Sequence, residues 1–228
     1  MIPVLDLMDG QVVRARGGDR ASYAPWRSPL AGSSDPRAIA RALLARSPFD
    51  TLYLADLDAI RGQGDNHPLL ADLAARFPGV TLWVDQGLSR LPDRDPLPGN
   101  TRPVLGTESL SGPDALHTAS PDHEPILSLD FGPEGFRGPP GILEDPHRWP
   151  ETVLVMALDR VGADQGPDID RLCWLRSLAP DCSWFVAGGI RGPADLRALE
   201  RAGARGALVA SALHDGRLPI GDAHRGGD

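Results

Sequence analysis

The sequence predicts an α/β fold, a single (βα)8 or TIM barrel made of two half-barrel repeats, and three observations predict it. Eight short runs rich in Val, Leu and Ile recur along the 228 residues. Amphipathic helical patterns follow several of them. Strand ends of the second half also repeat those of the first at a nearly constant offset. Apolar side chains at successive positions suit parallel strands buried on both faces, whereas half-solvated antiparallel strands would alternate.

The runs lie at 2–7, 51–57, 81–84, 103–105, 125–129, 152–158, 184–187 and 207–210. Asp35-Pro36 opens a helix as N-cap and first-turn proline, and its apolar stripe runs through Ile39, Leu43 and Leu44 to about Arg46. Segments 68–77, 169–178 and 193–202 read as helices too, the last with Leu196 and Leu199 on one face. The stretch 92–100 holds three prolines and 133–150 five, so some outer helices should be short or replaced by loops. Half-barrels of about 1–119 and 120–218 are expected, with a frayed tail at 219–228.

The repeat is visible in four matches. Ile2-Pro3-Val4-Leu5-Asp6 resembles Ile126-Leu127-Ser128-Leu129-Asp130, and Leu57-Asp58 resembles Leu158-Asp159. Thr81–Leu88 resembles Ser183–Ile190, and Val104-Leu105-Gly106-Thr107 resembles Leu208-Val209-Ala210-Ser211. The offsets are 124, 101, 102 and 104. Four matches in one order indicate two sets of four βα units, whose equivalent strand ends would face each other across one mouth.

A net charge of -8 and a pI near 5.2 argue against a nucleic acid or anionic membrane as partner, since either needs a concentrated basic surface. A small-molecule ligand fits better. No charged leader with an apolar core and no long apolar run is present, so the cytoplasm is the expected location. Cys173 and Cys182 read as reduced thiols without a second pair to make a zinc site. The six histidines lack ligand spacing, and no cofactor is expected. The oligomeric state is left open between a monomer and a small homo-oligomer.

The opening Ile2–Arg14, then Ala55-Asp56-Leu57-Asp58-Ala59 with Gly62 and Asn66, then Ala187-Gly188-Gly189-Ile190-Arg191 before Asp195-Leu196, and finally 207–216, together carry a family resemblance. The chain resembles phosphoribosylformimino-5-aminoimidazole carboxamide ribotide isomerase and its cyclase sister, from residue 2 to about 218. That resemblance implies a duplicated (βα)8 barrel with two phosphate sites and one catalytic Asp in each half. It implies an Amadori rearrangement of a phosphosugar amine from aldose to ketose, with Asp6 as base and Asp130 as acid. Strand C-termini face the active site of such barrels, and two carboxyls in unlike surroundings can supply both roles. A lone strand-end Asp could equally cap a loop or pair with an arginine.

For phosphate, Gly188, Gly189, Ala210 and Ser211 form the second-half candidate, because glycines let backbone N–H groups approach an anion at a helix N-terminus. Gly106 and Thr107 are the first-half counterparts. Their surroundings differ: Asp85-Gln86-Gly87 replaces a glycine run, and Glu108 follows. Carboxylates there would repel a dianionic phosphate by several kcal/mol at an effective dielectric of ~20, so a second phosphate should bind poorly. A neutral, amine-bearing or cationic group could take its place.

Arg14, Asp56, Asp85 and Arg191 are candidate substrate contacts. Arg14, Arg16, Arg20 and Arg27, with Gly17-Gly18, Tyr23 and Trp26, read either as a closing lid or as an ordinary exposed loop. Asp56, Asp58 and Asn66 are expected to hydrogen-bond loops rather than hold a metal. Alignment to the family places Met156 at a catalytic Thr and Val161-Gly162-Ala163 at an Asp-Gly-Thr loop. This favours a divergent paralogue with a singly phosphorylated substrate. The opening is also similar to proteins grouped with tetrahydromethanopterin-linked one-carbon metabolism. Two rivals are a lyase or synthase on another phosphometabolite, and a barrel that binds such a metabolite without turning it over.

Overall fold

The structure is a computed structural model that describes residues 1–15, 20–91, 97–118 and 124–218. β1 (Ile2–Met8) turns back as a hairpin onto β2 (Gln11–Val13) and leads to α1 (Pro36–Arg46), β3 (Thr51–Asp56), α2 (Leu57–Ile60) and α3 (His67–Arg76). β4 (Thr81–Asp85), β5 (Thr101–Gly106) and β6 (Ile126–Gly132) follow, then β7 (Gly135–Arg137) and α4 (Gly141–Glu144). The chain ends through β8 (Thr152–Ala157), α5 (Ile169–Leu178), β9 (Ser183–Ala187), α6 (Pro193–Arg201), β10 (Gly206–Val209) and α7 (Ser211–His214).

Eight of the ten strands pair in parallel in the order β1-β3-β4-β5-β6-β8-β9-β10, and β10 returns to β1, so the sheet closes as a (βα)8 barrel. All eight expected apolar runs are barrel strands. In the proline-rich stretch 133–150 the four-residue α4 and a 3-10 turn at Pro146–Arg148 stand where a full helix could lie, and residues 92–96 of the other stretch fall outside the described residues. The proposed division near 119/120 and the tail at 219–228 fall outside the described residues.

The remaining two strands extend the repeat beyond what the sequence disclosed. β2 pairs antiparallel with β1, setting Asp6 opposite Val13, and β7 pairs antiparallel with β6, setting Asp130 opposite Arg137. Both partners are again 124 residues apart.

Strand parity decides what enters the barrel, because neighbouring side chains point to opposite faces. Leu5 and Leu7 of β1, Leu52 and Leu54 of β3, Leu82 and Val84 of β4, and Leu127 and Leu129 of β6 belong to the outer core beneath the helices, with Ile39, Leu43, Leu70 and Leu73. Ile2, Tyr53, Trp83, Ile126, Leu154 and Leu208 fill the barrel from inside. Counting on from them in steps of two brings Asp6, Asp85, Asp130 and Met156 to the inner face at the C-terminal end of their strands.

Two expected strands stop one residue early. Asp56 accepts the Ala59 N–H (3.2 Å) and starts α2 at Leu57, and Leu158 opens a 3-10 turn. Cys173 and Cys182 are both free thiols.

Candidate active site

A cavity of about 490 Å³ opens at the C-terminal end of the barrel, and Asp6, Asp85, Asp130, Tyr53 and Met156 line its floor. The two carboxyls expected to face each other across the mouth therefore share one cavity. Gly188, Gly189, Ala210 and Ser211 line the same cavity on the second-half side, and Arg14, Val161 and Gly162 also reach it.

Burial governs the electrostatics of the floor. Removal from water pushes the Asp130 carboxyl up to about 8, with Asp85 raising it further and the Ser128 hydroxyl opposing. Asp6 is pushed up to about 7 by burial, with Arg20 opposing and Asp85 adding. Asp85 rises to about 6 from the same main cause, opposed by the Gly87 amide. Three carboxyls thus titrate near neutrality, where a proton can be either held or taken.

Asp130 is firmly fixed. It accepts from Ser128 Oγ (2.6 Å) and the Glu108 N–H (3.0 Å), and Thr107 Oγ1 accepts its backbone N–H (2.9 Å). Asp85 accepts from Tyr53 Oη (3.1 Å) and the Gly87 N–H (3.0 Å). In the first half, loop amides that could cradle an anion thus serve the protein's own carboxylates. Thr107 is fully buried, and neither it nor Gly106 lines the cavity. Glu108 does line it, bonded to Arg20 with Arg137 4.0 Å away.

The second-half wall is built differently. Gly188 (φ 99°) and Gly189 (φ 78°) both sit in the left-handed region, which lets the backbone turn along the cavity with no side chain in front of it. α7 begins beside them at Ser211. Arg14 pairs with Asp215 (2.7 Å) and lies over the Trp26 ring, while Arg217 pairs with Asp164 (2.7 Å) at the rim.

Two expected substrate contacts lie elsewhere. Asp56 has the outward parity of Leu52 and Leu54, is fully buried, and accepts from the Asn66 backbone (2.7 Å) and side-chain amide (2.7 Å). Asp58 and Asn66 in turn hold the Asp9 and Gly10 amides of the β1–β2 turn (2.7 and 3.0 Å), so this group hydrogen-bonds loops, as expected. Arg191 does not line the cavity. Its guanidinium is bound by Asp195 (2.8 and 2.9 Å), whose carboxyl is correspondingly held below its usual range.

Sequence reasoning passed over Tyr53, Ser128, Arg137, Asp164 and Arg217. Tyr53 stands in an unbroken apolar run in which nothing marks the inner face, and Arg137 arrives through a three-residue strand. Of the lid residues, Arg20 and Tyr23 line the cavity, whereas Arg27 binds the Gly32 carbonyl (2.6 Å). Arg16 and Gly17-Gly18 lie outside the described residues.

One consequence is measurable without a substrate. The folded-state value of Asp85, near 6, lies above the ordinary 3.8, so its charge burdens the fold above pH 6 and the burden vanishes below about 4. Asp85→Asn should therefore raise stability by about 1–3 kcal/mol at alkaline pH, at ~1.4 kcal/mol per unit. Urea melts should show the gain disappearing in acid; a gain equal at both ends would contradict a buried charge.

Comparison with known proteins agrees with the barrel. The family described as Histidine biosynthesis protein matches residues 1–133 and 147–219. A 1-(5-phosphoribosyl)-5-((5-phosphoribosylamino)methylideneamino) imidazole-4-carboxamide isomerase of Cenarchaeum symbiosum is 31% identical over 236 residues, covering 96% of this chain and 97% of that protein. The phosphoribosyl isomerase A of Streptomyces coelicolor is 30% identical, over 94% of this chain and 92% of its own. An uncharacterized protein of Methanocaldococcus jannaschii is 27% identical, over 96% and 95%. With both halves of the barrel inside one family match and full-length relatives at this distance, the chain belongs to the histidine biosynthesis protein family, as a divergent member.

Proposed function

We propose that this protein is an aldose–ketose isomerase acting on a singly phosphorylated aminosugar, with Asp6 as base and Asp130 as acid. The observation that supports it is the shared cavity: two carboxyls from equivalent points of the repeat face one space with the glycine wall at 188–189. In the reaction, Asp130 gives its proton to the ring oxygen as the C1–O bond breaks, and the nitrogen lone pair forms a C1=N iminium. Asp6 takes the proton from C2, and the C–H electron pair becomes the C1=C2 bond of an enolamine. Loss of the enol O–H proton and return of a proton to C1 give the ketose, so nothing is oxidised or reduced overall.

Phosphate would lie against Gly188, Gly189, Ala210 and Ser211, with Arg14 at the rim. Backbone N–H groups and the start of α7 suit an anion there. The isomerase relative's name contains two phosphoribosyl groups. Here the far end of the cavity presents Asp85 and Glu108 instead, which favours a ligand with one phosphate. The ligand's other end would then be neutral or carry an amine.

The test is to incubate the purified protein in deuterated water with the two-phosphate ribotide and, separately, with a furanosylamine carrying one phosphate. NMR follows exchange at C2 and appearance of the ketose. Exchange and turnover of the second, with little of the first, is expected. Turnover of the two-phosphate ribotide at an ordinary enzymatic rate, or rescue of a strain lacking the histidine isomerase, removes the single-phosphate reading, and exchange in neither compound removes the isomerase. Met156 and Val161 in the cavity wall, where the family resemblance places a Thr and the Asp of an Asp-Gly-Thr loop, favour a second reading. It is a paralogue, a lyase or synthase on a singly phosphorylated metabolite of one-carbon cofactor chemistry.

A further inference from the structure

Two guanidiniums reach the cavity from opposite sides of its mouth. Arg20 stands on a 3-10 turn at Arg20–Ser22 in the segment after β2, and Arg137 ends β7. The strands that carry these segments, β1 and β6, stand opposite in the ring of eight. Both arginines turn to one acceptor, Glu108, in the turn after β5. Arg20 takes its carboxylate in a fork, with Nη1 3.4 Å from Oε2 and Nη2 on Oε1, and Arg137 Nη1 lies 4.0 Å from Oε2. Among the described residues neither arginine has another ion pair.

The repeat shows what this acceptor replaces. Val104-Leu105-Gly106-Thr107 matches Leu208-Val209-Ala210-Ser211, so Glu108 holds the place of Ala212. Gly87 holds the place of Gly189, and both have positive φ, 63° and 78°. The first half therefore keeps this left-handed turn but carries an acid where the second half has only a methyl group, in the first turn of α7. A carboxylate is a small oxyanion, and two of its oxygens take a guanidinium in a fork as two phosphate oxygens do. The Glu108 side chain is 18% exposed and that of Arg20 23%, and the Glu108 N–H is fixed on Asp130 (3.0 Å), so this anion is held in place at the mouth. The floor carboxyls have donors of their own. Asp85 accepts from Tyr53 and the Gly87 amide, and Asp130 from Ser128, Thr107 and the Glu108 amide, so neither is hydrogen-bonded to these guanidiniums.

We propose that Glu108 determines specificity at this end of the cavity: its carboxylate occupies the place of a second phosphate and, by neutralising Arg20 and Arg137, limits the ligand to one. The inference deepens the single-phosphate reading and rests on it for its meaning in turnover, but binding alone tests it. A role confined to tying the segment after β2 across the mouth would make loss of Glu108 costly and would create no new affinity. Mimicry of an anion requires the opposite, a gain.

Calorimetry on the full chain compares ribose 5-phosphate with the two-phosphate ribotide. In Glu108→Ala, which gives this position the side chain of its second-half counterpart, the ribotide should bind about tenfold tighter or better than in the wild type, the scale of one charge-assisted contact. Ribose 5-phosphate, seated at Gly188 and Gly189, should change by less than about threefold, ~0.6 kcal/mol. Glu108→Gln keeps the size of the side chain and serves if the alanine variant does not fold. Adding Arg20→Met and Arg137→Met to Glu108→Ala should cancel the gain. Unchanged or weaker ribotide binding in the folded variant, or a gain that survives loss of both arginines, overturns the proposal. Failure of the single-phosphate reading is a different result, a wild type that does not bind ribose 5-phosphate, and even then Glu108→Ala must bind the ribotide more tightly than the wild type does.

Discussion

Asp6→Asn lowers kcat by roughly 10²–10⁴-fold, the usual contribution of a positioned general base, and leaves KM for the phosphorylated substrate within a few-fold. The side chain stays the same size. Asp6 makes no side-chain hydrogen bond among the described residues, so the amide has no partner to lose. What changes is the ability to take the C2 proton. The wall at Gly188 and Gly189, where the phosphate is proposed to lie, is untouched, which is why binding should survive. In the wild type, kcat/KM should rise with pH through about 7 as Asp6 ionises and fall beyond about 8 as Asp130 loses its proton. Limbs this close make a narrow bell, and its apparent values belong to the coupled groups rather than to either alone. Residual activity in Asp6→Asn should lose the acidic limb and keep the alkaline one. Retention of more than a tenth of wild-type kcat, or an acidic limb still in place, means the base is another group.

The eight strands were legible because both faces of a barrel strand are buried, and buried faces leave continuous apolar runs. The same continuity hid parity. Nothing in Thr51–Asp56 shows whether Tyr53 or Leu54 faces inward, so Tyr53 was passed over and Asp56 was placed at the mouth. Counting back from Asp85 and Asp130, both inward, would have exposed the error in Asp56 only with the register of β3 against β4 in hand. Arg191 carried a readable local signal, because Asp195 four residues on lies within reach on the first turn of α6. The hairpins were half visible. Asp9-Gly10, with φ values of 50° and 71°, is the dipeptide that a two-residue hairpin turn favours, yet three-residue strands are too short to show a period. Asp6, Asp130 and the glycine wall were found because duplication marks them twice. Asp85 was found because it breaks the duplication.

Gly189→Ala should reduce stability by more than ~2 kcal/mol and weaken phosphate binding more than tenfold, for two reasons that add. At φ 78° an L-residue is strained wherever it stands, and here an added Cβ would also fall 2.2 Å from the Gly166 carbonyl oxygen and 2.6 Å from its carbon. These are backbone atoms and cannot swing aside, so either the loop before Pro167 or the cavity wall must move. Gly188→Ala meets the same obstacle, 2.4 Å from the Ala157 carbonyl oxygen at the end of β8. Gly216 supplies the control: its φ is 70° but nothing lies within 4 Å of an added Cβ, so Gly216→Ala should lose only the conformational term, ~1 kcal/mol. Urea melts with and without inorganic phosphate separate the contributions. A ligand that binds only the folded state adds RT ln(1 + [L]/Kd), so phosphate should protect the wild type and Gly216→Ala but not Gly189→Ala. A Gly189→Ala protein as stable as Gly216→Ala and equally protected would show that this wall neither needs its glycines nor receives the anion. The single-phosphate reading would then lose its anchor among the described residues, since the opposite wall has already given its amides to Asp85 and Asp130.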